Sequence, residues 1–117
     1  MKFFLNCLGN WANDYPLIEQ AVIKADQVGF DGVQMPDHYM WHPALNPGPF
    51  IERPDRNVTL ETWTALTYLA AKTKNVSLGT MVTPIPFRPP SMLAKRLVTL
   101  DVLSNGRVVL GVGAGWV

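Results

Sequence analysis

Three alternating glycines stand where a predicted strand ends. A β-branched, apolar run begins at Arg107 and leads into Gly111, Gly113 and Gly115. Glycine has no side chain, so a strand that ends in glycines lets a ligand approach its backbone closely. We therefore expect a small-molecule site at this end of the strand.

A polar pair follows another predicted strand. Asp37 and His38 come directly after the apolar run 32–36. Histidine titrates near neutral pH and can serve as an acid, a base or a substrate anchor. On pattern alone, an Asp that caps a turn and a hydrogen-bonded structural His are the more common explanation of such a pair, so a catalytic role stays open at this point.

Two common cofactor motifs do not fit the sequence. A dinucleotide-binding fingerprint needs its third glycine at position 116, where this chain has Trp116, and it needs a helix to follow. Asp37, His38 and His42 have ligand spacing, but the proline-rich loop around them offers no further ligand for a metal ion. We expect no metal site.

Cys7 has no partner for a disulfide and is predicted to pack as a small apolar group.

Strands and helices alternate along the chain. Apolar runs at 2–7, 32–36, 76–82 and 107–112 predict strands, and the helices between them predict a parallel α/β sheet with right-handed connections. The predicted helices begin at Pro16, after an N-cap at Thr59, and at about Ser91. The segment 83–90 is predicted as a rigid loop that cannot continue the third strand. Asp101 and Arg107 are predicted to form a structural ion pair.

The long connections all lie on one face of the predicted sheet. Strand-to-helix links run from about eight to about twenty residues, against a usual length of roughly 2 to 6. Parallel α/β folds place their sites outside the carboxyl ends of the strands, which is the face that these links cover. Four strands in 117 residues equal half of a (β/α) barrel or one small open sheet, and composition does not decide between them.

Composition points to a small-molecule partner. Hydrophobic residues make up 48% of the chain, and the formal net charge is +1 without a basic stripe. We therefore expect no nucleic acid and no membrane partner. The single cysteine fits a reducing compartment, and the cytoplasm is the default expectation.

At this point the sequence resembles the luciferase-like monooxygenases, and in particular their deazaflavin-dependent branch. The resemblance rests on four stretches in the same order and spacing, which cover essentially the whole chain. They are 29–38 (GFDGVQMPDH), 78–84 (LGTMVTP), 94–107 (from AK to LDVLSNGR) and 110–116 (LGVGAGW).

The resemblance implies a fold, a chemistry and a set of site residues. The fold would be the N-terminal half, about four β/α units, of a (β/α)8 TIM-type barrel. The chemistry would be hydride transfer with coenzyme F(420), or oxygenation with FMN, on a small organic substrate. Met81 and Val82 would form a bulge with a non-prolyl cis peptide behind the cofactor ring. Cofactor-binding residues would be Met81, Val82, Gly113, Ala114, Gly115 and Trp116, and catalytic residues Asp37 and His38.

One position departs from the family pattern. In the sugar-phosphate dehydrogenases of this family a glutamate proton donor follows the glycines, and here that position is Trp116. The substrate is therefore not carried over. A non-catalytic flavin-binding or interaction protein, and a barrel isomerase or hydrolase that uses Asp37 and His38, stay open as alternatives.

The half-barrel interpretation also predicts an oligomer. Residues 1–117 would form one partial barrel domain, truncated after its fourth strand, with unpaired strands at 2–7 and 107–112. Exposed strand edges favour association. We expect a homo-oligomer, such as a dimer of half-barrels, or poor solubility of this chain alone.

Overall fold

A computed structural model describes residues 1–6, 15–39 and 59–115 of the chain. Strands and helices alternate as the sequence predicts. In chain order the elements are β1 (Phe4–Asn6), α1 (Tyr15–Val28), β2 (Gly32–Met35), α2 (Thr62–Lys72), β3 (Ser77–Thr80), β4 (Thr83–Pro84), a short 3-10 helix (Ile85–Phe87), α3 (Pro90–Leu103), β5 (Val108–Val109) and β6 (Val112–Gly113).

The order of the strands in the sheet identifies a barrel half. Four strands pair in the order β1-β2-β3-β5, and every pair is parallel. A doubly wound open sheet reverses its strand order at a switch point, whereas a barrel adds each new strand beside the preceding one. The strands here follow chain order without a reversal. The sheet is thus built as half of a (β/α)8 barrel.

The third barrel strand consists of β3 and β4, and the fourth consists of β5 and β6. β3 pairs with β5 and β4 pairs with β6, with a bulge between the two paired stretches. Gly79 pairs with Val109, and Thr83 pairs with Val112. Thr83 is four positions after Gly79, whereas Val112 is only three positions after Val109. The third strand therefore holds one extra residue between the two pairs, as in a β-bulge. The prediction that the segment after Val82 is a loop that cannot continue the strand was wrong, because Thr83 and Pro84 pair with β6 in parallel. Pro84 needs no N–H there since it ends the paired stretch.

The core lies between the sheet and the helices that cover it, and α2 contributes more buried apolar side chains than α1 or α3. On α2, Trp63, Leu66 and Leu69 have no exposed surface. On the sheet, Val33 and Leu78 are equally buried and belong to the same apolar cluster. Parallel strands covered by helices bury their apolar side chains in this way, and the carboxyl ends of the strands are left to carry polar groups.

Two helices differ in detail from the prediction. The N-cap of α2 is Glu61 and not Thr59, because the Glu61 carboxylate accepts a hydrogen bond from the N–H of Thr64 at 2.7 Å. On α3 the apolar spacing predicts a face made of residues 93, 94, 97, 98, 100 and 103. Of these only Leu93 and Leu100 are buried, and Leu103 is 69% exposed. No helix in the described part of the chain is both long enough and apolar enough to cross a membrane.

At the opposite end of the sheet, Arg107 holds the helix-to-strand links together. Its guanidinium donates to the carbonyl oxygens of Ala70 at 2.9 Å and of Val76 at 3.1 Å. The predicted ion pair with Asp101 was wrong. Asp101 instead accepts a hydrogen bond from the backbone N–H of Val108 at 3.2 Å. Carbonyl groups at a helix end need donors, and an arginine fork can supply several at once.

Candidate functional site

The residues predicted for the site lie at the carboxyl ends of the strands. Asp37 and His38 follow β2, and Met81 and Val82 follow β3. Gly113 ends β6, and Ala114 and Gly115 follow it. Trp116, predicted to bind the cofactor, lies outside the described residues, as do Cys7 and His42. Parallel strands bring these segments to one edge of the sheet.

Met81 and Val82 form the bulge between the two paired stretches. Their peptide bond is cis although neither residue is proline, so the predicted bulge and cis peptide are both confirmed. Met81 is 52% exposed and Val82 43% exposed, whereas Thr80 and Thr83 on either side are fully buried. Two apolar side chains are therefore displayed at the strand ends. Their contact with a cofactor stays a prediction.

Two glycines of the final segment could not be replaced without strain, Gly113 because of a close neighbour and Gly115 because of its backbone conformation. A Cβ atom at Gly113 would lie 2.6 Å from Cγ2 of Val82. Gly115 has φ +82°, in the left-handed region that favours glycine. The absent side chain at Gly113 thus leaves space for Val82. This contact adds a structural reason for the glycine to the ligand approach that the sequence suggested.

One polar group reaches the bulge from the first strand. The side-chain amide nitrogen of Asn6, the last residue of β1, lies 3.9 Å from the Met81 sulfur atom. Sulfur is a weak acceptor, so this contact orients more than it stabilises. It places an amide beside the exposed thioether.

Asp37 is buried in an ion pair with Arg88. The guanidinium donates to Oδ2 at 2.6 Å and to Oδ1 at 2.8 Å. Only 1% of the Asp37 side chain and 5% of the Arg88 side chain are exposed. Bidentate charge-assisted pairs of this kind are strong and directional. The pair joins the segment after β2 to the segment before α3.

The hydroxyl of Thr83 completes the surroundings of Asp37 and links it to Trp63 and Thr80. The Thr83 hydroxyl donates to Oδ2 of Asp37 at 2.8 Å and accepts the Trp63 indole N–H at 3.0 Å. It also lies 3.0 Å from the hydroxyl oxygen of Thr80. A hydroxyl has one hydrogen to donate, and the carboxylate is the stronger acceptor. The chain of donors therefore runs from the indole through Thr83 to the carboxylate.

The ion pair continues outward through two further charges. Arg88 also donates to Glu61 at 2.7 Å, and Arg96 on α3 donates to the same Glu61 oxygen at 2.9 Å. Burial raises the pKa of the Glu61 carboxyl, but hydrogen bonds from Thr64 and Arg88 outweigh it and the net direction is downward. We call Asp37, Arg88, Glu61 and Arg96 the charge chain.

Tyr39 forms a second link between the same segments. Its hydroxyl donates to the carbonyl oxygen of Phe87 at 3.0 Å. The Arg88 guanidinium carbon lies 4.7 Å from the centre of the Tyr39 ring, within cation–π range. The residues on both sides of His38 are thus attached to 87–88.

Sequence reasoning did not foresee the charge chain. Its four members lie on four separate segments, and Asp37 and Arg88 are 51 positions apart, so no local spacing connects them. One signal was present: Arg88 is the only charged residue in the segment 83–90. A charge within such an apolar, proline-rich loop calls for a partner when the loop is buried.

No metal centre is found among residues 1–6, 15–39 and 59–115, where no group of three or more His, Cys, Asp or Glu side chains could hold an ion. The charged atoms at the site are paired with arginine and hydroxyl groups. These contacts hold the protein segments in place, and they leave the carboxylate oxygens engaged by arginine and hydroxyl donors.

Comparisons with known proteins agree with this geometry. A sequence profile of the luciferase-like monooxygenases matches residues 3–117. The chain is 37% identical over 101 residues to an F(420)-dependent glucose-6-phosphate dehydrogenase of Amycolatopsis mediterranei, covering 85% of this chain and 27% of the relative. It is 36% identical over 92 residues to the 4-hydroxyprotoasukamycin monooxygenase of Streptomyces nodosus subsp. asukaensis, covering 77% of this chain and 21% of the relative.

A solved structure shares the fold. The F(420)-dependent secondary alcohol dehydrogenase in complex with an F(420)-acetone adduct aligns with a TM-score of 0.72 at 29% identity, over 98% of this chain and 32% of that one. The chain therefore spans about a quarter of the two curated relatives. It spans about a third of the solved structure.

Proposed function

Because the chain belongs to the luciferase-like monooxygenase family, we propose that it binds a flavin-type ring, coenzyme F(420) or FMN, and takes part in oxidoreductase chemistry on a small organic substrate. Family members named above are dehydrogenases and a monooxygenase, so the family is enzymatic. Since the chain spans about a quarter of the curated relatives, the activity of the whole enzyme is part of the proposal. When bound, such a ring supplies hydride transfer.

The observation that carries the proposal is the exposed apolar bulge at the strand ends. Met81, Val82 and Val112 are 52%, 43% and 51% exposed, while Gly113 beside them has no side chain. A flat aromatic ring gains stabilisation by covering apolar surface of this kind. The residues present thus fit one face of such a ring, and Ala114, Gly115 and Trp116 would extend the same wall.

His38 is the residue we propose to meet the substrate. It follows the buried Asp37 and is itself partly exposed. An imidazole at this position can hold or move a proton at a substrate oxygen, because one ring nitrogen can donate a hydrogen bond while the other accepts one. The bulge would then bind the ring while His38 orients the substrate atom that reacts.

The relatives favour one of the two cofactors. Two of the proteins named above use F(420) by their names, which favours deazaflavin hydride transfer to or from carbon. Trp116 stands where sugar-phosphate dehydrogenases carry a glutamate, so we do not extend the glucose-6-phosphate substrate to this chain. We propose a small organic substrate of another class.

A fluorescence titration tests the binding step. Coenzyme F(420) and FMN are each titrated into the chain and the quenching of the ring's emission is followed. We expect saturable quenching, and at least roughly tenfold weaker binding for Gly113→Val, because its side chain collides with Val82 and displaces the wall. Ala94→Val, which places the same valine side chain at an exposed position of α3, should bind as the unaltered chain does. Failure of the unaltered chain to quench either ring would overturn the proposal.

FMN-dependent oxygenation is the second candidate, supported by the monooxygenase relative. Oxygen uptake separates the two candidates. Reduced FMN consumed with oxygen in step with substrate oxidation would favour the monooxygenase, whereas absorbance change of F(420) without oxygen uptake would favour hydride transfer. A chain that binds a ring and supports neither reaction would favour the non-catalytic half-barrel.

We also propose a homo-oligomer, in the cytoplasm. Exposed apolar side chains lie at both edges of the sheet: Phe3, directly before β1, is 57% exposed, and Leu110, between β5 and β6, is 40% exposed. Covering such surface favours association. Sedimentation velocity at tens of micromolar protein should show a dimer or larger species, and a stable monomer would contradict this.

A further inference from the structure

The Asp37 carboxylate is already fully engaged within the protein. Oδ1 accepts from Arg88, and Oδ2 accepts from both Arg88 and Thr83. With 1% of its side chain exposed, it presents no surface to a substrate. A proton-transfer group must come within hydrogen-bond reach of the reacting atom. These contacts assign the carboxylate to the protein interior.

The same contacts fix both neighbours of His38. Asp37 is tied to Arg88 through two hydrogen bonds. Tyr39 is tied to Phe87 through its hydroxyl and lies against the Arg88 guanidinium. The backbone of His38 is therefore held on both sides by one two-residue segment, 87–88. Among the described residues, no other segment forms hydrogen bonds with the side chains of both Asp37 and Tyr39.

The network also reaches the bulge. Thr83, which donates to Asp37, directly follows Val82, and its backbone N–H donates to the carbonyl oxygen of Gly111 at 2.8 Å. A shift of Arg88 would therefore be transmitted to His38 through Asp37 and to Val82 through Thr83. Buried, fully paired polar networks hold their members in one geometry because any unpaired member is costly.

We propose that Arg88 is a positioning residue of the site: through its ion pair with Asp37 and its contact with Tyr39 it fixes His38 relative to the Met81–Val82 bulge, and Asp37 acts within this pair and not as the proton-transfer group. The effect of Arg88 on catalysis rests on the proposed function. The dependence of the His38 position on Arg88 can be measured without any cofactor.

The test uses three variants and one control in the 117-residue chain. Asp37→Asn removes one charge at nearly constant shape, Arg88→Met removes the other, and the double variant removes both. Lys95→Met places the same side chain at an exposed position of α3. For each protein, the His38 ring resonances are recorded by NMR, with His42→Gln used for assignment, and ring binding is titrated by fluorescence.

We expect both single variants to shift the His38 resonances and to weaken ring binding by about tenfold or more, since misplacement of a site residue by about 1 Å can be that costly. The double variant should be no worse than the worse single variant, because the two residues act as one unit. Lys95→Met should match the unaltered chain in both readouts. If a Met variant does not fold, Arg88→Lys, which keeps the charge but loses the two-pronged geometry, should show the same changes.

The outcomes separate this inference from the proposed function. Unchanged His38 resonances in Asp37→Asn and in the folded arginine variant would overturn the positioning role, whatever the cofactor does. Absence of ring binding by the unaltered chain would overturn the proposed function, while shifted His38 resonances would still support the positioning role. Additive losses in the double variant would also count against a single unit.

Discussion

The carboxylate of Asp26, near the end of α1, accepts a hydrogen bond from the backbone N–H of Val76 at 2.8 Å. It also accepts from the N–H groups of Asn75 at 2.7 Å and Lys74 at 3.1 Å. One side chain thus holds three consecutive amides of the link into β3. Burial raises the pKa of Asp26, but these hydrogen bonds outweigh it and the net direction is downward from 3.8.

Asp26→Asn should therefore destabilise the fold by about 0.5 to 2 kcal/mol at pH 7, the range measured for capping side chains. The folded pKa lies below the unfolded value of 3.8, so the unfolded chain binds the proton more readily. The contribution is complete well above 3.8 and is lost as the pH falls through and below this value.

Urea unfolding at pH 7 and at about pH 3 measures this effect. The difference between Asp26→Asn and the unaltered chain should shrink at the lower pH. Glu19→Gln is the control, because the Glu19–Lys72 ion pair, with N···O 3.7 Å and a Lys72 side chain 43% exposed, is a surface pair that contributes little. An equal loss in both variants would contradict the prediction.

Arg107→Met should cost about 2 kcal/mol or more, since hydrogen bonds to a charged group are worth about 1.5 to 3 kcal/mol. The variant leaves the carbonyl oxygens of Ala70 and Val76 without their donor. Arg107→Lys should recover little of the loss, because one ammonium cannot occupy the positions of a guanidinium fork.

Thermal unfolding followed by circular dichroism gives the comparison for Arg107. Lys74→Met, which removes a cation from an exposed position nearby, should leave the midpoint within about 1 °C of the unaltered chain. Full recovery by Arg107→Lys would show that charge alone, and not the fork, is needed.

Gly113→Ala should destabilise the chain by about 1 to 3 kcal/mol through overpacking. The added Cβ would lie 2.6 Å from Val82 Cγ2. Val82→Ala removes that methyl group from a side chain that is 43% exposed, so its own cost should be small. The double variant should regain most of the stability lost by Gly113→Ala. A double-mutant cycle from urea unfolding tests this, and simple additivity would refute the contact.

Thr83→Val keeps the shape of a fully buried side chain but removes its hydroxyl. The Trp63 indole N–H then loses its acceptor at 3.0 Å and Asp37 loses one donor. Leaving buried polar groups unpaired costs about 1 to 3 kcal/mol. Thr99→Val on the exposed side of α3, where the hydroxyl donates to the Lys95 carbonyl oxygen, should change the unfolding free energy by less than about 0.5 kcal/mol. Chemical unfolding with Trp fluorescence as the signal measures both.

Patterns local in sequence predicted much of this fold. The apolar spacing of residues 17, 18, 21, 22, 25 and 28 predicts α1. Of these, Ile18, Val22 and Ala25 are buried, whereas Leu17 and Val28 are 69% and 56% exposed. The resemblance of the stretch around Met81 and Val82 to the family predicted a bulge with a non-prolyl cis peptide, and both are present. The errors occur where a distant partner decides the structure. Pairing with β6 returns Thr83 and Pro84 to the sheet, against the local preference of a proline-rich segment.

The candidate site was predicted in its positions more than in its contacts. His38 and the glycines are at the strand ends, as expected. The engagement of Asp37 by Arg88 depends on two segments 51 positions apart, and no periodicity reports such a pair. A buried arginine is recognisable only once the surrounding packing is known, because most arginines are exposed.

The strict neighbour-to-neighbour pairing of β1, β2, β3 and β5 has a consequence for how the chain folds during synthesis. Each strand finds its partner in the unit made just before it, so sheet growth needs no segment that has yet to leave the ribosome. The folding order can therefore follow the order of translation, one unit at a time. The Asp37–Arg88 pair would close late in this sequence, after α2 has docked, as the step that locks the earlier units to the later ones.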